Sequence, residues 1–306
     1  MSNLVLEVST GAVRGGTSIL FAALGETISE RAGVINLGTE GSLIAGCLAA
    51  YAATSVTGNA WMGVLAGAGA GGALALVHAL MVVKFRTNQL ATGLVVMFLG
   101  LGLTALFGVA YVSKVIDSFT PYHVPLLSDI PWIGEVFFQQ DPLVYLSYVL
   151  APLTWWALTR TRVGLLVRTA GERPEVLATY GYDPALIRIG AVVVGGMLAG
   201  IGGAQLSTAY ANAWFENMSN GRGFIAVALV IFAAWDPLKA VLGAWLFGAA
   251  LALAPALQAR GYGVNQFALD AMPYVLTLVV LVIFGRSRVD EAPEGLQAVF
   301  ELTPTG

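Results

Sequence analysis

Residues 159–190, TRTRVGLLVRTAGERPEVLATYGYDPALIRIG, form a charged, ordered-looking segment between two apolar runs. Pro174 suits the first turn of a helix, where its missing N–H has no intrahelical partner. Glu172 and Glu175 near this start suit the helix dipole, and Gly181 is typical of a C-terminal stop. The pattern predicts a short helix over about 174–180. It either rests on a membrane surface or docks a cytoplasmic partner.

The composition around this segment indicates a polytopic membrane protein. The chain has 306 residues, of which 57% are hydrophobic and 11% are charged, and its mean hydropathy is +0.78. Soluble domains carry about 25% charged residues, and the shortage here extends along the whole chain. The net charge of -3 and the lack of a long basic run give no indication of nucleic-acid binding.

A membrane-spanning helix needs roughly 17 to 25 mostly apolar residues. The sequence contains nine such runs, so we predict an all-α polytopic membrane protein of about nine (8–10) transmembrane helices in one domain, 1–306. The runs are 10–27, 35–57, 60–83, 89–113, 142–159, 189–210, 222–235, 238–258 and 267–286. The first and seventh are short or contain polar residues, which is typical of broken or re-entrant segments.

Basic residues flanking the runs predict the orientation. Segment 160–188 holds five arginines, so we place it in the cytoplasm and count outward from it. The basic residues then inside are Arg31, Lys84, Arg86, Arg160, Arg162, Arg168, Arg173, Arg188, Lys239, Arg286 and Arg288. Those on or near the outer side are Arg14, Lys114, Arg222 and Arg260. The N-terminus is therefore expected outside, and the tail 287–306 in the cytoplasm.

Two segments resemble each other within the chain. Residues 71–91 align without gaps with residues 248–268, and 10 of the 21 positions are identical. Eight of these are Ala, Leu or Gly, but Asn88-Gln89 also matches Asn265-Gln266. In the predicted topology the copies run in opposite directions, which indicates an inverted repeat of the kind common in transporters. A chance match in a low-complexity alphabet is the alternative.

The stretch GETISERAGVINLGTEG, residues 25–41, carries unusual charge for so apolar a chain. Glu26 and Glu30 share a helix face because they are four residues apart, and Arg31 is adjacent to Glu30. We predict a structural charge pair among these three residues, which holds helix ends together at the cytoplasmic side.

The second half of that stretch, INLGTEG, combines polar side chains with three glycines in its neighbourhood. This pattern predicts a helix break whose freed backbone groups line a cavity. Asn36, Thr39 and Glu40 are therefore candidates for the substrate path or a gate. The alternative is a structural break that neighbouring helices satisfy.

Four further polar residues are candidates for the substrate path: His78, Asn88, Gln89 and Gln205. His78 lies on an otherwise apolar run, where an interhelical hydrogen bond is the alternative. Asn88 and Gln89 open the fourth run and can instead cap it. The connector 210–224 contains aromatic residues that suit interface anchoring, a binding-protein contact or a ring-shaped solute.

The sequence shows no catalytic or metal-binding pattern. The two histidines (His78 and His123) and the single cysteine, Cys47, have no metal-site spacing, and no G-x-S-x-G motif occurs. The chain also lacks G-x-x-x-x-G-K-[ST], the phosphate-binding motif of ATPases. We therefore predict a protein that is not an enzyme and has no cofactor of its own.

Three stretches resemble the permease subunits of bacterial ABC importers for simple sugars and nucleosides. They are residues 164–207 (GLLVRTAGERPEVLATYGYDPALIRIGAVVVGGMLAGIGGAQLS), 24–51 (LGETISERAGVINLGTEGSLIAGCLAAY) and 88–108 (NQLATGLVVMFLGLGLTALFG). The stretch 24–51 is similar to the nucleoside branch, which accompanies lipoproteins of the basic membrane protein type. The resemblance covers roughly 17–110 and 160–285.

This resemblance implies a type II importer fold in the inner membrane, with about ten segments per subunit. It implies a second permease subunit, by family habit a longer paralogue, two ATPases that bind ATP, and an extracytoplasmic binding lipoprotein. The helix at 174–180 would be the coupling helix that meets the ATPase. The positions that match its motif are Arg168, Gly171, Glu172, Pro174, Ala178 and Gly181.

The function implied is inward movement of a small polar solute by alternating access. The resemblance places a nucleoside or related base first, a simple sugar second and a branched-chain amino acid third. An ion-coupled secondary transporter is the rival from another class, and Glu40 would be its coupling carboxylate. That rival does not account for the ordered helix at 174–180.

Overall fold

The computed structural model describes residues 2–112, 114–262, 265–288 and 293–296. The helices are α1 Ser2–Arg31, α2 Thr39–Thr57, α3 Ala60–Ala79, α4 Gln89–Gly108, α5 Ile133–Phe137, α6 Pro142–Arg160, α7 Arg162–Glu172, α8 Pro174–Thr179, α9 Pro184–Gln205, α10 Arg222–Phe232, α11 Pro237–Gln258, α12 Gln266–Asp270 and α13 Met272–Arg288. The π-helical turns Leu80–Lys84 and Leu206–Tyr210 extend α3 and α9, and the 3-10 turn Val109–Tyr111 extends α4. Two short antiparallel strands, β1 Tyr122–His123 and β2 Gln139–Gln140, lie in the long connector between α4 and α6.

Each predicted apolar run coincides with a helix, so the all-α prediction is confirmed. Among the described residues, four helices are long and apolar enough to cross a membrane by length and composition alone. They are Ala60–Lys84, Gln89–Tyr111, Pro184–Tyr210 and Pro237–Gln258. The predicted boundaries were wrong in three main places. The first run, predicted at 10–27 as a short or broken segment, is one continuous helix of 30 residues, Ser2–Arg31. The second helix begins at Thr39 rather than at 35, and the run 267–286 is divided between α12 and α13.

The bundle has two ends, which we name the α8 end and the opposite end. At the α8 end, the backbone oxygen of Arg31 packs against Gly171, and the Gln89 side chain accepts a hydrogen bond from the Ile35 N–H. At the opposite end, the Tyr51 hydroxyl donates to the Lys114 carbonyl at 2.8 Å. The helices that connect the ends therefore alternate in direction.

The internal repeat has a local structural basis. Asn88 and Asn265 both precede a helix and accept a hydrogen bond from a backbone N–H in its first turn, of Ala91 and of Phe267. α3 runs toward the α8 end and α11 runs away from it, so the matched segments are antiparallel, as the predicted topology requires. The shared Asn-Gln pair therefore marks two equivalent helix starts.

Glycines bring the central helix α1 into direct backbone contact with its neighbours. A Cβ on Gly16 would lie 2.4 Å from the Ala244 oxygen in α11. A Cβ on Gly25 would lie 2.2 Å from the Gly195 oxygen in α9. Close approach of this kind drives helix association in lipid, where no hydrophobic force acts between helices. α1 is thus fixed between α9 and α11.

The short helix at the α8 end lies where the sequence predicts it. α8 spans Pro174–Thr179, and Gly181 follows with φ +81°, a left-handed conformation that only glycine adopts without strain. The expected tail 287–306 falls largely outside the described residues.

One basic residue differs from its expected position. Arg222 was placed on or near the outer side, but it is only 9% exposed and lies in the first turn of α10. Its guanidinium donates to the Met218 carbonyl at 3.1 Å and lies 5.8 Å from the centre of the Tyr210 ring. The internal acceptor and the aromatic ring offset the cost of burying the charge.

Candidate functional site

The link between α1 and α2 is a non-helical segment, 32–38, packed inside the bundle. Unpaired backbone groups are costly in a membrane domain, so side chains must satisfy them. Glu26 contributes two of these bonds, because its carboxylate accepts from the Asn36 N–H at 2.6 Å and from the Thr39 hydroxyl at 2.8 Å. The Asn36 side chain in turn accepts from the Gly38 N–H at 3.0 Å.

Two side chains from other helices complete this link, and both bond Ile35. Gln89 accepts from its N–H at 2.8 Å, while the ring nitrogen Nε2 of His78 donates to its carbonyl at 3.1 Å. His78 is fully buried. The link is therefore attached to α3 and α4 as well as to α1.

Glu40 connects α2 to the start of α10. Its carboxylate accepts from the Ser219 hydroxyl at 2.6 Å and from the backbone N–H groups of Gly221 at 2.9 Å and Gly223 at 2.6 Å. A negative charge is stabilising at a helix N-terminus, where these N–H groups have no intrahelical partner. Glycine is required at 223, since a Cβ there would lie 2.5 Å from Glu40 Cα.

α10 is too short to cross a bilayer. Its 11 residues extend about 16 Å, roughly half of the hydrocarbon core. Its C-terminal end is attached to α1 at the α8 end, since Trp235 Nε1 donates to Glu30 Oε2 at 2.5 Å. The N-terminal turn, which Glu40 holds, therefore lies inside the bundle, as the short seventh run suggested.

The expected charge pair among Glu26, Glu30 and Arg31 stays a prediction, and each of these residues also has other contacts at the helix ends. Glu26 and Glu30 are each 1% exposed, and they accept hydrogen bonds from the α1–α2 link and from Trp235. Arg31 donates to the carbonyl oxygens of Ala234 and Trp235, both at 3.4 Å. These contacts join helix ends through backbone and tryptophan partners.

The two remaining path candidates also have internal partners. Asn88 caps α4, and the Gln205 amide donates to the Arg14 carbonyl at 3.1 Å. All seven candidates (Asn36, Thr39, Glu40, His78, Asn88, Gln89 and Gln205) thus hold backbone or side-chain groups of the chain itself. A role for them in touching solute stays a prediction.

A small exposed surface lies beside the N-terminal turn of α10, and two of its three residues belong to the connector 210–224. Asn220 is exposed, Phe224 is 36% exposed and Tyr274 is 44% exposed. The Tyr274 hydroxyl donates to the Asn220 carbonyl at 3.0 Å, which joins α13 to α10. In the sequence, the residues S-N-G at 219–221, inside an apolar region, are typical of a turn and indicate this position.

The segment α7–α8 is attached to the bundle on one side and exposed on the other. The Arg188 guanidinium donates to the carbonyls of Ala170 and Ala32, at 2.7 and 3.2 Å for the nearest nitrogens. A Cβ on Gly171 would lie 2.3 Å from the Arg31 oxygen, so only glycine allows this contact. α7 is therefore in direct contact with the α1–α2 link.

The exposed side of this segment mixes charged and apolar groups. Leu177 is 4% exposed and fixes α8 to the bundle. Glu172 is exposed, Val176 is 37% exposed, and Tyr180 and Tyr182 are 76% and 52% exposed. Apolar and aromatic side chains at the centre of an exposed surface, with charges beside them, are typical of a protein interface.

Comparisons with known proteins agree with this architecture. The family model described as the permease component of the branched-chain amino acid transport system matches residues 9–285. The chain belongs to this permease family. A putative glucose ABC transporter permease of Haloferax volcanii is 42% identical over 262 residues, which cover 84% of this chain and 78% of the relative.

Two further relatives of the permease are similar along nearly their full length. The nucleoside ABC transporter permease NupC of Lactococcus lactis is 31% identical and covers 92% of this chain and 93% of its own. The guanosine ABC transporter permease NupQ of Bacillus subtilis is 31% identical and covers 90% and 91%. No solved structure matches the chain significantly.

Family membership decides the general role of the permease. It is the membrane-spanning component of an ABC transporter, which works with an ATPase and a substrate-binding protein, and ATP hydrolysis belongs to the separate ATPase. Within the described part of the chain, no three His, Cys, Asp or Glu side chains lie together in a way that would hold a metal ion.

Proposed function

We propose that the permease imports a nucleoside or related base, with a simple sugar as the second candidate solute. The observation that carries this is similarity, along most of the chain, to permeases named for nucleoside, guanosine and glucose transport. Two of the three names concern nucleosides, and these relatives cover at least 90% of this chain. A branched-chain amino acid is the third candidate.

In this proposal the α8 end faces the cytoplasm. Most lysines and arginines lie there, among them those of segment 160–188, and such a bias sets orientation. The N-terminus is then outside and the C-terminus inside. The membrane is the bacterial inner membrane.

The exposed side of α7–α8 is the docking surface for the ATPase. Glu172, Val176 and Tyr180 are exposed without forming part of the bundle core, which suits a surface covered by a partner. The proposed coupling positions have three roles. Pro174 and Gly181 start and end the helix, Gly171 joins α7 to the α1–α2 link, and Ala178 lies on the exposed side. Arg168 lies on α7 and is half-buried.

Coupling in this proposal passes through the α1–α2 link. Movement of α7 reaches the link through Gly171 and Arg188, and the link is bonded to Glu26 and continuous with Glu40. Glu40 holds the first turn of α10. A push at α8 therefore has a continuous, bonded route to the interior of the bundle, which suits alternating access.

The solute path then runs past the N-terminal turn of α10. Solute sites in transporters lie beside broken helices inside the membrane. Asn220, Phe224 and Tyr274 are exposed there, and a polar group at such a depth suits an aqueous path better than lipid. The aromatic rings suit a flat base. Glu40 acts behind this surface as a positioning residue.

The complete importer would contain this permease, a second and longer permease subunit, two ATPases that bind ATP and an external binding lipoprotein. The ion-coupled alternative gains no support, because the Glu40 carboxylate already accepts three hydrogen bonds.

The decisive experiment reconstitutes the permease in proteoliposomes with its partner subunits and measures uptake of labelled guanosine, adenosine and glucose. We expect nucleoside uptake that requires ATP, the ATPase and the binding protein. Uptake by the permease alone on a sodium or proton gradient would contradict the proposal. ATP-dependent uptake of glucose but not of nucleosides would still support an ATP-driven importer. It would make a simple sugar, rather than a nucleoside, the first candidate solute.

A further inference from the structure

A groove between α6 and α11 contains two adjoining cavities of different chemistry. The basic cavity, at the α8 end, measures about 280 Å³ and is lined by Arg31, Arg168 and Lys239 with Asp236 and Trp155. The apolar trough, which extends farther from the α8 end, measures about 410 Å³ and is lined mainly by aliphatic and aromatic side chains. A polar site beside an apolar one suits an amphipathic ligand.

The two cavities adjoin along both helices, and on α11 the trough already begins at Leu238, next to Lys239. On α6, Pro152 lines the apolar trough and Trp155 lines the basic cavity. On α11, Leu242 lines the trough and Lys239 the basic cavity. Residues three apart lie one above the other on a helix face, so each pair marks one continuous side of the groove.

The length of the trough fits one leaflet of a bilayer. Tyr148 and Trp245 both line it, and their rings form an edge-to-face pair with centres 6.4 Å apart. Lys239 and Trp245 are separated by about 9 Å along α11, less than the roughly 15 Å of one hydrocarbon leaflet. An occupant would thus extend from the membrane surface at the α8 end toward the centre of the bilayer.

The charges of the basic cavity favour an anion. The basic cavity is lined by three cationic side chains and one carboxylate, that of Asp236. The Asp236 carboxylate accepts a hydrogen bond from the Leu238 N–H at 2.9 Å. Arg31 donates to backbone carbonyls of the α10–α11 connection. Lys239 is exposed, and Arg168 Nε is buried without a partner among the described residues.

We propose that an anionic phospholipid occupies this groove, with its phosphate in the basic cavity and an acyl chain in the apolar trough. Basic pockets between membrane helices bind anionic headgroups, and tryptophan suits the interface level where Trp155 lies. The proposal rests on the proposed function only for the leaflet, which is cytoplasmic if the α8 end is. Because Arg168 belongs to α7, the bound lipid would fix the segment that carries Gly171.

The headgroup is tested by native mass spectrometry of the purified full-length permease, titrated with phosphatidylglycerol or phosphatidylcholine. Arg168→Gln and Lys239→Gln should each weaken phosphatidylglycerol binding about fivefold, the effect expected for one basic residue at an anionic lipid surface. Phosphatidylcholine binding should be weak and unchanged. Arg160→Gln is the matched control, because Arg160 is exposed at the same end but does not line the cavity.

The acyl chain is tested by filling the trough. Leu242→Trp should reduce phosphatidylglycerol binding, while Leu246→Trp should not, because Leu246 is exposed on α11 outside the trough.

Arg168→Lys keeps the charge and should restore binding if Arg168→Gln removes it. Each variant must elute from gel filtration at the same volume as the wild type, so that misfolding is not mistaken for lost lipid binding.

Three results would overturn the proposal. The first is equal loss in Arg160→Gln or Leu246→Trp. The second is phosphatidylcholine binding as tightly as phosphatidylglycerol. The third is displacement of the lipid by inorganic phosphate at equal concentration, which would indicate a site for a free anion. All of these results are read from lipid binding to the purified permease, so the transport assay tests the proposed function separately.

Discussion

Glu40 accepts a 2.6 Å hydrogen bond from the backbone N–H of Gly223, and this bond joins the first turn of α2 to the first turn of α10. The two residues are 183 positions apart in the chain. The contact places a carboxylate at the N-terminus of a helix that begins inside the bundle. It explains why an apolar chain retains Glu40 and why position 223 is glycine.

Replacing Glu40 with Gln should therefore weaken the start of α10. A glutamine offers one acceptor oxygen for three donors and turns an NH₂ group toward N–H groups. Each lost charge-assisted bond is worth about 1.5–3 kcal/mol, so we expect a clear fall in the thermal unfolding midpoint in detergent and strongly reduced uptake. Glu216→Gln is the control, because Glu216 is exposed in the same connector. Equal effects of the two substitutions would contradict the role of Glu40.

Gly171→Ala should disturb coupling more than folding. The added Cβ would lie 2.3 Å from the Arg31 oxygen, so α7 must move away from the α1–α2 link. Overpacking of this kind costs about 1–3 kcal/mol. In the assembled importer, we expect solute-loaded binding protein to stimulate ATPase activity less than it does in the wild type. Gly190→Ala meets open space and should behave like the wild type. Unchanged stimulation in Gly171→Ala would count against this route.

Glu26→Gln should loosen the link between α1 and α2. The amide keeps the shape of the carboxylate but presents one acceptor to the two donors, the Asn36 N–H and the Thr39 hydroxyl. A loss of about 1.4 kcal/mol corresponds to tenfold faster exchange of the protected amides in 32–38, measured by hydrogen–deuterium exchange. Glu7→Gln is the control, since Glu7 pairs with Arg260 at the opposite end. Exchange that stays slow in Glu26→Gln would show that the link is held by other contacts.

Phe224→Ala tests the solute path. If Phe224 stacks on a base, its loss should raise the KM for nucleoside uptake about three- to tenfold, in line with an aromatic contact of about 0.5–1.5 kcal/mol. Phe215→Ala removes an aromatic side chain that is 49% exposed in the connector and should leave KM unchanged. A normal KM in Phe224→Ala would place the path elsewhere.

Much of the fold was predictable because a membrane-spanning helix needs a long apolar run, which can be read from the local sequence. Apolar runs of spanning length predicted each long helix, and Pro174 and Gly181 predicted α8 almost to the residue. These features depend on periodicity, length and backbone preference, which neighbouring residues determine.

The candidate site was less predictable. The sequence correctly singled out Asn36, Thr39 and Glu40 as unusual, and the broken segment beside them exists. It could not show that Glu26 would bond the link or that Glu30 would bond Trp235. The sequence pointed to the connector 210–224, which contains Asn220 and Phe224, but not to Tyr274, because Tyr274 belongs to a separate element.

The sequence by itself determined the membrane class, the helices, the short helix α8 and the family resemblance. Local hydropathy and turn chemistry decide all of these. Only the tertiary structure decided the partners of the buried polar residues. Glu40 meets Ser219 across 179 positions and Glu30 meets Trp235 across 205, so helix packing, rather than local sequence, selects which donor reaches each carboxylate.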